Sequence, residues 1–183
     1  MNVTHFLLAG ALGAIAFPAA ASVTIIGNSP ARSCYEAAEH DKSAAAMSIA
    51  HCDEALAQRD LGHYDTVATY VNRGILKMRM DMLGEALSDF DQAIARDPDQ
   101  PEAYLNKAVA LLRRDDWRAA LPVFDEAIAK RTQRPALAYF GRAIAHEMAG
   151  RVKQAYLDYR QASVLEPKWR DPQVELARFS VRQ

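Results

Sequence analysis

Residues 70–98 read YVNRGILKMRMDMLGEALSDFDQAIARDP, and the same arrangement of small and aromatic residues follows twice more along the chain. The second copy lies 34 residues after the first, and the third lies 35 residues after the second. The recurring residues are Tyr70, Gly74, Leu83, Ala86, Phe90, Ala93 and Pro98, then Tyr104, Ala108, Trp117, Ala120, Phe124, Ala127 and Thr132, then Tyr139, Ala143, Val152, Ala155, Tyr159, Ala162 and Pro167. A period of this length indicates one recurring supersecondary unit, and the additional residue is expected in the loop around Arg131 to Arg134.

Each copy is predicted to contain two helices. In its second half, the two alanines and the aromatic residue between them fall at i, i+4 and i+7, which is one helical face. At these positions the sequence resembles the tetratricopeptide repeat family, over a little more than half of the chain. The resemblance implies an all-α, tetratricopeptide-type helical-repeat solenoid, in which the first helix of each pair lines a concave surface that binds partner proteins.

The amino terminus is predicted to be a secretory signal peptide over residues 1–21. No charged side chain occurs from Met1 to Ser22, and the apolar run from Phe6 to Phe17 is followed by three alanines. This run is shorter than the roughly 20 residues that span a bilayer. The mature chain is therefore expected to begin near Ser22, in a periplasmic or secreted location, with residues 22–30 as an extended leader against the first helices.

Residues 31–60 are predicted to form a degenerate helix pair that contains both cysteines of the chain. Ser48, Cys52 and Ala55 stand where the later copies have alanine, an aromatic residue and alanine. In an exported protein, Cys34 and Cys52 are expected to form a disulfide. The alternative is a metal or enzymatic site that uses Cys34, Cys52, His40 and His51. It is disfavoured because adjacent residues on a helix point about 100° apart.

Three regular repeats are predicted over residues 66–99, 100–134 and 135–168, followed by a capping helix over residues 169–183. Asp65 or Thr66 is expected to cap the first helix, after a linker at Leu61–Asp65. Asp99 and Glu102 suggest a capping box at the start of the second repeat.

The resemblance also implies a partner-binding groove, largely apolar, with two equivalent asparagines. Its predicted residues are Val71, Asn72, Ile75, Met78, Leu105, Asn106, Val109, Leu112, Phe140 and Ile144, with Gly141 and Glu147 at the remaining positions of the third copy. An asparagine amide can pair with both the donor and the acceptor of a peptide backbone. Relatives that bind a free carboxyl terminus carry lysine and asparagine where Val71 and Ile75 stand, so a peptide segment within a chain is expected instead. The alternative is that these side chains pack only against neighbouring helices.

Composition narrows the functional classes. The 22 basic and 23 acidic residues give no electrostatic basis for binding nucleic acid or an anionic membrane. Arg73, Lys107 and Arg142 recur at one register, either as an anion-binding row or with their stems covering helix junctions. No common catalytic motif occurs. The sequence therefore predicts a non-enzymatic protein without cofactor that binds another protein, as a monomer or weak homo-oligomer; a self-associating structural protein is the alternative.

Overall fold

The computed structural model describes residues 2–5, 22–25, 29–40 and 45–182, in which helices dominate. These residues form nine helices and two short strands. The elements are β1 (Asn2–His5), α1 (Pro30–His40), α2 (Ala45–Ala57), α3 (His63–Arg79), α4 (Leu83–Arg96), α5 (Pro101–Arg113), α6 (Trp117–Ala129), α7 (Pro135–Met148), α8 (Val152–Leu165), α9 (Arg170–Ala177) and β2 (Phe179–Arg182).

The helices stack in sequence order. Each helix from α1 to α8 contacts the next one along the chain, and the first helices of successive pairs, α1, α3, α5 and α7, also contact one another. Four helix pairs and the short α9 therefore form a solenoid, which confirms the predicted fold class. Among the described residues, no helix is both long and apolar enough to cross a membrane.

Small residues let the two helices of a repeat approach closely. Phe90 on α4 is fully buried, and its Cε1 atom lies 2.4 Å from the position that a Cβ atom on Gly74 of α3 would take. Glycine is therefore required at residue 74 by the ring that faces it.

We expect Gly74→Ala to lower the free energy of unfolding by about 1–3 kcal/mol, because the added methyl group overlaps Phe90 in a packed core. Urea denaturation of the purified protein measures this difference. Gly84→Ala is the matched control, since nothing lies within 4 Å of its added Cβ atom. Equal stabilities of the two variants would contradict the packing argument.

Each of the three regular first helices is followed, two residues after its last residue, by a residue with left-handed backbone. The φ angles are 61° at Asp81, 65° at Asp115 and 70° at Gly150. Glycine adopts this conformation without steric penalty, whereas aspartate does so with some strain. The third repeat therefore has the favoured residue at this turn, and the first two do not.

Asp115→Gly is expected to raise the free energy of unfolding by about 0.5–1 kcal/mol, because the left-handed turn is then unstrained. The midpoint of thermal unfolding provides the measurement. Asp81→Gly should gain less, since Asp81 also pairs with Arg113 at 3.0 Å. A lower midpoint for Asp115→Gly than for the native protein would show that strain is not the controlling factor.

Two predicted helix starts differ from the structure. Helix α3 begins at His63 with Gly62 as its N-cap, so Asp65 and Thr66 lie inside the first turn. The carboxylate of Asp65 is favourable there because of the helix dipole. Helix α5 is capped by the side chain of Gln100, which accepts from the Glu102 N–H, so the predicted capping box of Asp99 with Glu102 is wrong.

The carboxyl-terminal helix is shorter than predicted. Helix α9 ends at Ala177, and Phe179 lies in β2. The Phe179 ring turns back toward α8, with its centroid 5.8 Å from that of Tyr156 and 6.0 Å from that of Tyr159.

Strand β2 pairs antiparallel with β1, which is part of the predicted signal peptide. Residues 6–21 of that predicted segment lie outside the described residues.

Candidate functional site

The ten residues predicted to line the groove are all buried. None is more than 6% exposed. They lie on α3, α5 and α7, the first helices of the regular pairs, as the repeat register requires. A partner can therefore contact them only where a segment that covers them is displaced.

The chain's own leader covers Asn72. The Val23 N–H donates to Asn72 Oδ1 at 2.9 Å, and Asn72 Nδ2 donates to the Val23 carbonyl at 2.8 Å. The side chains of Val23 and Ile25 are buried, and Thr24 between them is exposed. Asn72 thus binds an extended backbone through both of its amide groups, and the bound segment belongs to the same chain.

Further groups from α1 and α3 hold the leader. The Tyr64 hydroxyl donates to the Thr24 carbonyl at 3.2 Å, and Arg32 Nη1 donates to the Ile25 carbonyl at 2.7 Å. The Ser22 hydroxyl donates to the Glu39 carboxylate. We call Arg32, Glu39, Tyr64 and Asn72 the leader site. Only Asn72 was predicted from sequence, because the other three lie outside the repeat positions that define the groove.

The second asparagine behaves differently from the first. Asn106 Nδ2 donates to the Glu102 carbonyl one turn earlier in the same helix, at 2.8 Å. Glu102 itself is buried, and its Oε1 atom accepts from the Gln133 N–H at 2.8 Å and from the Thr132 hydroxyl at 3.4 Å. Burial raises the pKa of Glu102, although these two donors act against the shift. Glu102 therefore anchors the loop that contains the additional residue.

The third repeat's part of the predicted groove is closed by the carboxyl-terminal cap. The Phe140 ring lies 4.7 Å from the ring of Trp169, immediately before α9, and 5.5 Å from that of Tyr159. Glu147 accepts from Tyr159 and pairs with Arg178. A Cβ atom on Gly141 would lie 2.4 Å from the Phe124 ring, so this position faces the preceding repeat. Phe140 and Gly141 thus serve packing.

The recurring basic residues are paired with carboxylates. Arg73 makes two hydrogen bonds to Asp89, at 2.9 and 2.6 Å, and one to Asp53 of the preceding pair, at 2.7 Å. In the third repeat, Arg142 makes the same contacts with Asp158 (2.8 and 2.8 Å) and with Asp125 of the preceding pair (2.6 Å).

In the second repeat, Lys107 contacts Asp91 of the preceding pair at 2.6 Å. Val123 occupies the position that Asp89 and Asp158 have in the other two repeats. The lysine therefore occurs where only one carboxylate is available, and the arginines occur where there are two. All three basic residues join adjacent helix pairs, which is a structural role.

The pKa shifts of Arg73 and Arg142 support the structural role of these basic residues. Burial alone would lower the pKa of Arg73, but hydrogen bonds and charges from Asp89 and Asp53 outweigh it, so that the pKa is raised. The hydrogen bond to Asp158 likewise raises the pKa of Arg142. His146 stands beside the second cluster, with Nε2 3.8 Å from Asp158 Oδ2, and burial lowers its pKa. At neutral pH the charge on Asp158 is therefore balanced by Arg142 and not by His146.

Cys34 and Cys52 form the predicted disulfide between α1 and α2, with their Cα atoms 4.9 Å apart. The bond removes both thiolates from any ligand set, so the alternative metal site of Cys34, Cys52, His40 and His51 is wrong as proposed. Within the described part of the chain, no group of three or more His, Cys, Asp or Glu side chains is arranged to hold a metal ion.

Comparison with known proteins agrees with this geometry. The family described as "Tetratricopeptide repeat" matches residues 71–135 and 108–167, which together span more than half of the chain. The chain belongs to the tetratricopeptide repeat family. No curated protein matches it in sequence. The family match does not indicate an enzyme family.

Solved tetratricopeptide repeat structures share the fold. The repeat domain of Arabidopsis OM64 is 25% identical, with a TM-score of 0.61 over 64% of this chain and 96% of that domain. The first repeat domain of Spaghetti (RPAP3), bound to the HSP90 peptide SRMEEVD, is 22% identical, with a TM-score of 0.58 over 61% and 87%. A repeat protein of Thermus thermophilus is 16% identical, with a TM-score of 0.67 over 82% and 80%.

Proposed function

We propose that this tetratricopeptide repeat protein is an exported, non-enzymatic interaction module that binds an extended segment of another protein on its concave face. The observation that supports it most directly is the pairing of the Asn72 amide with both backbone groups of Val23. Such pairing is independent of the ligand's side chains and suits an extended peptide. Family membership makes protein binding the expected activity of this surface.

The ligand differs from a free carboxyl terminus. The Spaghetti domain binds an HSP90 peptide, but Val71 and Ile75 replace the lysine and asparagine of the carboxylate-binding pattern. Both are fully buried and belong to the same apolar cluster as Val23 and Ile25. The proposed ligand is therefore a segment within a chain, recognised through its backbone and apolar side chains.

Photo-crosslinking from native envelopes tests the proposed surface. A photo-reactive phenylalanine analogue replaces Tyr64, which is 57% exposed and belongs to the leader site. The control places it at Leu157, which is exposed on α8. We expect partners that crosslink from residue 64 and not from residue 157. The same set of partners from both positions would argue against the groove.

Export rests on the signal-like amino terminus and agrees with the disulfide, since disulfides persist in oxidising compartments. Intact-mass measurement on protein from the periplasmic fraction tests it. The expected mass is that of a chain beginning at Ser22. A chain that retains residues 2–5 in the cytosolic fraction would refute export.

Self-association is the second candidate function, and exposed apolar side chains favour it. Leu157, Val164 and Leu165 are 49, 64 and 40% exposed on α8. Sedimentation velocity of the mature protein at micromolar concentration distinguishes the two functions. If the protein is monomeric at every concentration, peptide binding is the candidate function that remains. If an assembly forms through α8, Val164→Glu should dissociate it.

A further inference from the structure

The leader site binds backbone groups at three successive residues. Asn72 pairs with the N–H and carbonyl of Val23, Tyr64 donates to the carbonyl of Thr24, and Arg32 donates to the carbonyl of Ile25. Every extended segment presents these groups at the same spacing. The polar part of the site is therefore indifferent to the sequence of the segment that it holds.

The apolar part of the site is selective. Val23 and Ile25 are buried and β-branched, whereas Thr24 points to solvent. In an extended chain, residues two apart lie on the same face. The site thus selects two apolar side chains at alternate positions and tolerates any residue between them.

The Asn72 amide favours an extended backbone as its occupant. Asn72 is fully buried while the leader is bound, and the leader satisfies both of its amide groups. Water can replace these hydrogen bonds when the leader leaves, but it cannot replace the apolar burial of Val23 and Ile25. Another extended segment can supply both, so replacement of one segment by another is favoured over an empty site.

We propose that the leader is a tethered, displaceable ligand, and that the partner is an extended segment with β-branched residues at two alternate positions. This inference rests on the proposed function and specifies its ligand. Because the leader is attached to α1, its effective concentration at the site is on the order of millimolar. The tethered leader therefore competes with a free segment for the site and lowers the apparent affinity of that segment.

Peptide binding to the full, oxidised chain tests this. The probe is a labelled, amidated peptide, SVTIIGNS, with the sequence of residues 22–29, and fluorescence anisotropy reports its binding. Val23→Ala/Ile25→Ala weakens the tethered leader and leaves every group of the site intact. We expect this variant to bind the probe about tenfold or more tightly than the native chain. Equal affinities would overturn the inference.

Two altered peptides serve as matched controls. N-methylation of the peptide's valine nitrogen removes the donor to Asn72 Oδ1 and should weaken binding at least about tenfold, as loss of a buried hydrogen bond predicts. Replacement of the peptide's threonine by lysine should leave affinity unchanged, since Thr24 is exposed. Tight binding of the N-methylated peptide would overturn the inference.

The circular dichroism melt of each variant verifies that it is folded, and the milder Ile25→Ala variant replaces the double variant if that one is not. If the folded double variant, or the folded Ile25→Ala variant used in its place, does not bind the probe, the inference that the leader is displaceable is refuted. If crosslinks from residue 64 are still position-specific, the proposed function survives that result. If the probe binds but crosslinks from residue 64 are not position-specific, the leader site does bind extended segments, and it is the proposed binding of a partner protein that is refuted.

Discussion

Arg142→Met should lower the free energy of unfolding by about 3 kcal/mol, because it leaves the buried carboxylate of Asp158 without its cation. Asp158 is 7% exposed, and both of its oxygens accept from Arg142. In the native protein, burial lowers the pKa of the neighbouring His146, so that this imidazole does not already pair with Asp158 as a cation at neutral pH. Urea denaturation at pH 7 measures the loss.

Arg73→Met provides the matched comparison in the first repeat. Asp89 is also buried, at 3% exposed, and accepts two hydrogen bonds from Arg73. It has a second cation in Lys77, whose Nζ atom lies 2.9 Å from Asp89 Oδ2. We therefore expect Arg73→Met to cost about 1–2 kcal/mol, less than Arg142→Met, because a charged hydrogen bond is lost while the carboxylate stays paired.

Two double variants test the charge argument. His146→Lys places at residue 146 the cation that Lys77 provides in the first repeat, so Arg142→Met/His146→Lys should recover part of the stability. Arg142→Met/Asp158→Leu removes both charges and should be close to the native protein, since apolar replacement of a buried ion pair is often neutral. A double variant as unstable as Arg142→Met alone would show that packing of the arginine stem dominates.

These ion pairs show which features of the fold can be predicted from the sequence and which cannot. The 34-residue spacing of small and aromatic residues was sufficient for the repeats, because each recurring position has one packing role, such as Gly74 against Phe90. The register also identified Arg73, Lys107 and Arg142 as equivalent. It did not identify their partners, because Asp53 and Asp125 lie in the preceding pair and become neighbours only when the pairs stack.

The site was predictable only at the positions that the repeat defines. Asn72 was expected to bind the backbone of a partner's segment, and in the structure it binds the backbone of the chain's own leader. The leader was expected to lie against the first helices, but its position over Asn72 was not predictable, because that position depends on Arg32 of α1 and on Tyr64, which belong to no repeat position. Likewise, burial of Phe140 depends on Trp169, just before α9, which has no counterpart in the regular repeats.

Loss of the disulfide should destabilise the amino-terminal pair most. Cys34 and Cys52 are 18 residues apart in sequence, and closing a loop of that size contributes about 3 kcal/mol in the chain-entropy model. Cys34→Ala/Cys52→Ala should lower the free energy of unfolding by about that amount, as measured by urea denaturation. Adding a reductant to the native protein should reproduce the loss, and the double variant should not respond to it. Equal stability of the oxidised and reduced native protein would contradict the prediction.

Loss of the disulfide should also destabilise the leader site. The disulfide holds α1 to α2, and the leader is hydrogen-bonded to Arg32 and Glu39 of α1. End repeats of a solenoid are supported by one neighbour only, so α1 and α2 are expected to open before the regular repeats. Hydrogen exchange should therefore accelerate at Val23 and through residues 30–57 of the reduced protein, while the amides of α5 to α8 remain protected. Uniform acceleration along the chain would mean that the solenoid unfolds as one unit and that the disulfide stabilises all of it.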